Sequence, residues 1–306
     1  MSSGGRPAVR RWGVAVVAST AAVTVLVPMG TAQAAAGPSG ITAKGAYLLD
    51  SGPNKKLWSK SADTRRQMAS TTKIMTAMVV LDTRGVDLDK KVTVKQAYRD
   101  YVAREGASTA DLKTGDKLKV RQLLYGLMLP SGCDAAYALA DTFGTGSTKA
   151  KRTKSFIAKM NKKADELGMS KTDFDSFDGI SPTGKNLSTP RDLAKLARHA
   201  MKNSTFGGVV KATSTKQKAT NGRTYTWYNT NQLLGSYNGA IGIKTGTGTA
   251  AGPCLLFAAK RGSRTIVGVV LNDANRYTDA KKMLDWAYGA HTAMKLRQLP
   301  KSAQRD

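Results

Sequence analysis

The 306-residue chain is short of the side chains that most often announce chemistry. Its two histidines, His199 and His291, fall in a helical stretch and near the tail, so neither is well placed as the base of a Ser-His-Asp triad. Its two cysteines, Cys133 and Cys254, are too few for a disulfide-built scaffold, and a chain of this length buries most of its surface without staples. Export would permit a bridge between them, but two free thiols are the expectation. No cluster of His, Cys and carboxylate has metal-ligand spacing. The stretch "GIKTG" (242–246) does not satisfy the GxxxxGK[ST] of a phosphate loop. Neither a metal nor another cofactor is expected.

Acid is also scarce: 21 Asp+Glu stand against 48 Lys+Arg, for a net charge of +27. Such a surface attracts polyanions. The chain shows neither an arginine-rich arm nor a nucleic-acid motif, which sets nucleic acid aside and leaves anionic wall polymers or lipid headgroups. A monomer is expected. Long apolar runs are missing too. The longest, Val14–Val27, falls short of the roughly 20 residues of a membrane span. It follows Arg6, Arg10 and Arg11 and precedes Ala32-Gln33-Ala34, the layout of an export signal over residues 1–34. The mature chain then starts near Ala35 and works outside the cell, at the outer face of the cytoplasmic membrane or in the wall.

What is present is patterned. Short apolar runs on either side of "DSGPN" (50–54) predict a hairpin. A helix is expected to open near Ser70, a good N-cap residue, and its continuation "IMTAMVVL" (74–81) is apolar all round, as a buried helix is. Residues 85–204 read as helical, with helices at 120–130, 133–143, 154–169 (Gly168 as its C-cap) and 188–203 (Pro190 in its first turn). Residues 173–186 form a loop rich in Asp, Gly and Ser. After Phe206 the period changes to that of strands, at 239–247, 253–261 and 264–273, before a terminal helix at 278–294. Strands from both ends thus flank a helical insertion. The simplest architecture is one sheet with helices on it, split in sequence by an all-α domain: residues 35–76 and 205–295 against 77–204, with a charged tail at 296–306.

Three short stretches carry candidate chemistry. In Ser70-Thr71-Thr72-Lys73 the first and last residues share a helix face, so the lysine amine can reach the serine hydroxyl. Backbone N–H groups at the helix start suit an acyl oxyanion. Burial among Ile74, Met75 and Met78 disfavours a charged lysine, as a base requires. Ser131-Gly132-Cys133 lies in a turn between two helices, where side chains can enter a cleft. Lys244-Thr245-Gly246 ends a strand, and its glycine permits close approach of a ligand to the backbone.

In the order S-x-x-K, S-x-[N/C], K-T-G, these resemble the constellation of the penicillin-recognising serine acyltransferases. "RRQMASTTKIMTAMVVL", "VRQLLYGLMLPSGCDAAYALAD" and "SPTGKNLSTPRDLAKLA" extend the likeness to secreted D-alanyl-D-alanine carboxypeptidases, the low-molecular-weight penicillin-binding proteins. The resemblance spans about residues 40–290. It implies an α/β fold with an all-α insertion, a mixed antiparallel five-stranded sheet flanked by helices, and an active site between the two domains. It implies Ser70 as nucleophile, Lys73 as its base and Ser131 as a proton relay. Lys244 and Thr245 would hold the substrate carboxylate, and the N–H groups of Ser70 and Thr247, beside Gly246, would form the oxyanion hole. The implied partners are a peptidoglycan stem peptide ending in D-Ala-D-Ala and β-lactam inhibitors. Most of the family has Asn at the position of Cys133; the cysteine resembles an actinomycete subtype that favours transfer over hydrolysis. The carboxy-terminal β-domain and amphipathic anchor of many relatives are not expected here. The alternatives are a class A β-lactamase, for which no Glu-x-x-Leu-Asn base pattern is found and Glu166 reads as solvated, and a catalytically weak basic wall-binding protein. If the hairpin after Lys244 is tight, Cys254 falls across from Lys244, where a bridge to Cys133 would occlude the cleft.

Overall fold

Strand alternation and one all-apolar helix fix the frame. The computed structural model describes residues 37–303 and, before them, only positions 1, 4, 5, 8, 12 and 13. Those isolated positions apart, the expected leader lies outside the described residues. Met1–Ala36 and Gly37–Asp306 are separate units, and the following concerns the second. Its chain opens with the expected hairpin, β1 (Gly45–Asp50) and β2 (Lys55–Lys60). A short β3 (Arg66–Gln67) leads to a 3₁₀ turn, Ala69–Thr72, that runs on as α1 (Lys73–Leu81). Then come β4 (Lys91–Thr93), α2 (Gln96–Glu105), β5 (Lys117–Lys119), α3 (Val120–Met128), α4 (Cys133–Phe143) and α5 (Lys149–Glu166). The loop after α5 returns through β6 (Leu187–Ser188) to α6 (Pro190–Lys202) and α7 (Ser204–Lys211). The last part holds β7 (Ser214–Lys218), β8 (Thr224–Tyr228), β9 (Ala240–Gly246), β10 (Cys254–Arg261), β11 (Arg264–Leu271) and α8 (Arg276–Tyr288).

The main sheet has five strands in the order β2-β1-β11-β10-β9, and every pairing is antiparallel. Successive side chains of a strand point to opposite faces. Tyr47, Leu49, Val267 and Val269 pack with α1, α4 and α6, whereas Leu48, Phe257 and Val270 pack with Ala280, Met283 and Leu284 of α8. α1 is buried from Lys73 to Val80, as its all-round apolar sequence requires. Among the described residues no helix is long and apolar enough to cross a membrane.

Five details differ from the sequence reading. Ser70 is not a cap: it sits inside the 3₁₀ turn, and Ala69 before it has a left-handed backbone, φ 46°. Residues after Phe206 stay helical as α7, because Asn203 Oδ1 caps Phe206 N at 3.1 Å; the Gly207-Gly208 pair hid this helix. β7 and β8 form a hairpin that packs on the helical insertion, with Trp227 Nε1 donating to Ala110 O at 2.8 Å. α8 ends at Tyr288, short of 294, because Gly289 takes the left-handed cap. α5, for its part, starts earlier than residue 154, capped by Thr148.

The insertion is tied by a buried carboxylate. Asp141 of α4 accepts from Tyr98 Oη of α2 and Lys95 Nζ, each at 2.6 Å, and from Arg152 Nε of α5 at 2.6 Å. Burial alone would raise this carboxyl; the hydrogen bonds from Arg152, Lys95 and Tyr98 outweigh it and hold it below the ordinary carboxylate range. The contribution of half-exposed Lys95 is reduced, since solvent screens it. A depressed folded value means stabilisation that is full above the unfolded carboxyl pKa and lost as pH falls through the folded one. Asp141→Asn is therefore expected to cost about 1.5–3 kcal/mol at neutral pH. In denaturant titrations the gap to wild type should close as pH falls below about 4; a gap independent of pH would contradict this.

Candidate active site

The first motif is shaped by the 3₁₀ turn, in which residues i and i+3 eclipse. Ser70 Oγ and Lys73 Nζ consequently lie 2.9 Å apart in a hydrogen bond. Lys73 is fully buried and also donates to the Asp178 carbonyl at 2.9 Å. Asp178 belongs to the Asp/Gly/Ser-rich loop after α5. Its carboxylate accepts from Tyr101 Oη at 2.7 Å and Ile180 N at 2.9 Å. Asn186 Nδ2, from the same loop, donates to Thr72 Oγ1 at 2.7 Å, so the loop is fastened along the Ser70 turn. Gly179 lies between: a Cβ there, at φ 102°, would stand 2.1 Å from Ala69 O and 2.9 Å from Ser70 N. No carboxylate forms an ion pair with Lys73 among the described residues.

The second motif lies in the turn before α4. Ser131 is buried, holds a left-handed backbone at φ 63°, and its Oγ makes no hydrogen bond. A non-glycine residue held in that region stores strain, and such strain gathers at functional sites. Ser108 Oγ donates to the Ser131 carbonyl at 2.7 Å and lies 3.8 Å from Cys133 Sγ. Burial pushes the Cys133 thiol up to about 12, against the opposing pull of Lys73, so it is protonated at neutral pH. Cys254 is buried and likewise free; it pairs with Gly246 across β9 and β10, not with Lys244, because the connecting turn is longer than a tight hairpin.

The third motif closes against the first. Gly246 faces the Ala69–Thr72 turn so closely that a Cβ would lie 3.0 Å from Ser70 N and 3.1 Å from Thr71 N. Lys244 is buried, and its Nζ donates to Thr245 O at 3.0 Å and lies 3.5 Å from Thr245 Oγ1. Thr245 is also buried and shares a 2.7 Å hydroxyl contact with Thr230. Thr230 is a hub: its N–H donates to Leu129 O at 3.1 Å, just before the Ser131 turn, and its carbonyl accepts from Tyr277 Oη at 3.1 Å. Arg276 Nη1 donates to Thr247 Oγ1 at 3.0 Å and Gly246 O at 3.1 Å. In the tail, Arg297 Nη2 donates to Asn229 O at 2.8 Å and holds the Thr230 loop in place.

Ser70, Cys133 and Thr247 line one cleft of about 650 Å³, with Glu105–Ser108 on one wall and Gly248–Ala251 on another. Ser131, Lys73, Lys244 and Thr245 lie buried behind those walls. Sequence reasoning missed Asp178, Thr230, Arg276 and Arg297. Three of them act through backbone carbonyls or fold-level contacts and leave no motif; Arg276 stands alone at the start of α8. Glu166 sits on α5, half-exposed and paired with Lys163 Nζ at 2.6 Å, outside the cleft lining. His199 pairs with Asp82 at 2.7 Å beyond the end of α1.

A family model described as D-alanyl-D-alanine carboxypeptidase matches residues 31–275. Over 256 residues the chain is 55% identical to the D-alanyl-D-alanine carboxypeptidase of Streptomyces sp. (strain K15), covering 81% of this chain and 88% of that protein. It is 35% identical to D-alanyl-D-alanine carboxypeptidase DacB2 of Mycobacterium tuberculosis, covering 78% and 79%. Its fold is similar to the crystal structure of the Streptomyces K15 DD-transpeptidase, with a TM-score of 0.80 at 54% identity over 83% of this chain and all of that one. With the three motifs meeting at one cleft, the chain belongs to the D-alanyl-D-alanine carboxypeptidase family, the S11 peptidases.

Proposed function

We propose that the protein is a serine D-Ala-D-Ala carboxypeptidase and transpeptidase acting on peptidoglycan stem peptides. The observation that carries this reading is the 2.9 Å contact of Ser70 Oγ, which lines the cleft, with the buried Lys73 Nζ. Ser70 Oγ attacks the carbonyl between the two D-alanines and gives its proton to Lys73. The N–H groups of Ser70 and Thr247 receive the oxyanion; Gly246, without a side chain, lets the two approach. Ser131 carries the proton from Lys73 to the leaving amine as the C–N bond breaks. Its buried hydroxyl, unengaged in this structure, is free to turn for that relay. Lys244, with Thr245 and with Thr247 backed by Arg276, holds the terminal carboxylate. The acyl-enzyme then passes to water or to an amine. A β-lactam enters the same path, but its leaving group stays tethered to the acyl chain, so the adduct is long-lived.

The domain division at residues 77 and 205, with the cleft between the parts, belongs to the same proposal. So do export by residues 1–34, action in the wall as a monomer, and retention by anionic wall polymers or headgroups on a surface of net charge +27.

A peptide ending in D-Ala-D-Ala, offered with and without a primary amine, should release D-alanine and, with the amine, give the transfer product. Ser70→Ala should abolish both, and D-alanine release that survives Ser70→Ala would refute the assignment. Cys133 offers a weak thiol where an amide would both donate and accept. Cys133→Asn should therefore raise acylation or the hydrolysed share by on the order of tenfold, the effect of about one good hydrogen bond. Unchanged rates in both steps would remove Cys133 from the account.

A further inference from the structure

The cleft has a charge pattern that the proposed machinery does not use. Of the residues lining it, Glu105 alone carries charge at neutral pH, since the Cys133 thiol is protonated. A chain with 48 Lys+Arg against 21 Asp+Glu contributes no cation to this lining. The cations of the site, Lys73 and Lys244, are buried behind the walls, and Arg276 is engaged with the β9 end. Glu105 is the last residue of α2, where the helix dipole is negative. The next residues, Gly106 to Ser108, line the same wall. Glu105 is held in place by its neighbour: Arg104 Nε donates to Glu105 Oε1 at 2.8 Å, and the Arg104 guanidinium lies 5.4 Å from the centre of the Tyr101 ring. Tyr101 Oη in turn binds the Asp178 carboxylate, whose carbonyl receives Lys73. The lining thus presents one carboxylate at the end of α2, ion-paired on one side with Arg104, while the cations near β9, Lys244 and Arg276, stand outside the lining.

We propose that Glu105 and the C-terminal end of α2 form a subsite for a primary ammonium group of the peptidoglycan peptide. This rests on the acyl-transfer reading of the site. Two amines have this chemistry: the acceptor that attacks the acyl-enzyme, and a side-chain amine of the donor stem peptide. An acceptor docked as its ammonium first releases one proton to solvent. Its nitrogen then forms the new amide C–N bond, the Ser70 ester C–O bond breaks, and a second amine proton returns to Ser70 Oγ. Glu105 is a specificity residue in this scheme and takes no part in bond making.

Wild type and Glu105→Gln would be compared in three assays. Acylation by benzylpenicillin, which has no amine, reports the machinery and should stay within about twofold. Acylation is then measured with a peptide ending in Lys-D-Ala-D-Ala whose side-chain amine is free or acetylated. Last comes the ratio of transfer to hydrolysis with a glycylglycine acceptor. A partly exposed ionic contact should be worth about five- to tenfold. A loss of that size confined to the free-amine donor places the donor side chain at Glu105; one confined to the transfer ratio places the acceptor there. Either supports the subsite. Equal rates for variant and wild type in all three assays would overturn it, and so would an equal loss on every substrate. Failure of wild type to react with benzylpenicillin would instead strike the acyl-transfer reading itself.

Discussion

Two side chains, Ser70 and Lys73, meet because a 3₁₀ turn stacks residue i on residue i+3. An α-helix would offset the two; the tighter turn sets them in line. That turn is costly to hold. Ala69 enters it with a left-handed backbone, and Lys73 leaves water entirely. Much of the surrounding architecture is accordingly arranged to keep it in place: a buried α1 behind it, the Asp178 loop fastened to Thr72 and Lys73, and β9 pressed against its N–H groups. Where those neighbours come closest the sequence has glycine: a Cβ at 179 would collide with the Ala69 carbonyl, and one at 246 would crowd the Ser70 and Thr71 N–H groups.

Sheet and helical insertion meet at this point, and small polar contacts set their relation. Thr230 touches Leu129 before the Ser131 turn, Thr245 of the third motif, and Tyr277 beside Arg276. Three parts of the site thereby share one hydroxyl-bearing residue in a loop. The tail residue Arg297 clamps that loop through backbone carbonyls, so the segment after α8 is part of the site's support and more than a charged appendage.

Much of this was legible in the sequence, and the reasons differ by element. The sheet strands and α1 were readable because alternation and all-round apolarity report burial directly. The three motifs were readable because each is a short local pattern. α7 was not: two glycines masked a helix that owes its start to Asn203. The β7–β8 hairpin was not, since a strand reading Ser-Thr-Lys-Gln-Lys has no apolar face of its own and Trp227 is anchored by a distant carbonyl. Within the site, Asp178 was invisible because Lys73 uses its backbone oxygen. Arg276 was invisible because only the pairing of β9 with β10 brings Thr247 to the start of α8. The register of Cys254 depended on turn length, which sequence spacing alone leaves open.

The central claim is that Ser70 is the acylated residue of a cleft served by Lys73. Mass spectrometry of the intact protein after incubation with benzylpenicillin tests it most directly. The account predicts one long-lived adduct of the mass of one penicillin, located on the peptide that contains Ser70 and absent from Ser70→Ala. No adduct, or an adduct carried by another residue such as Cys133, would contradict it.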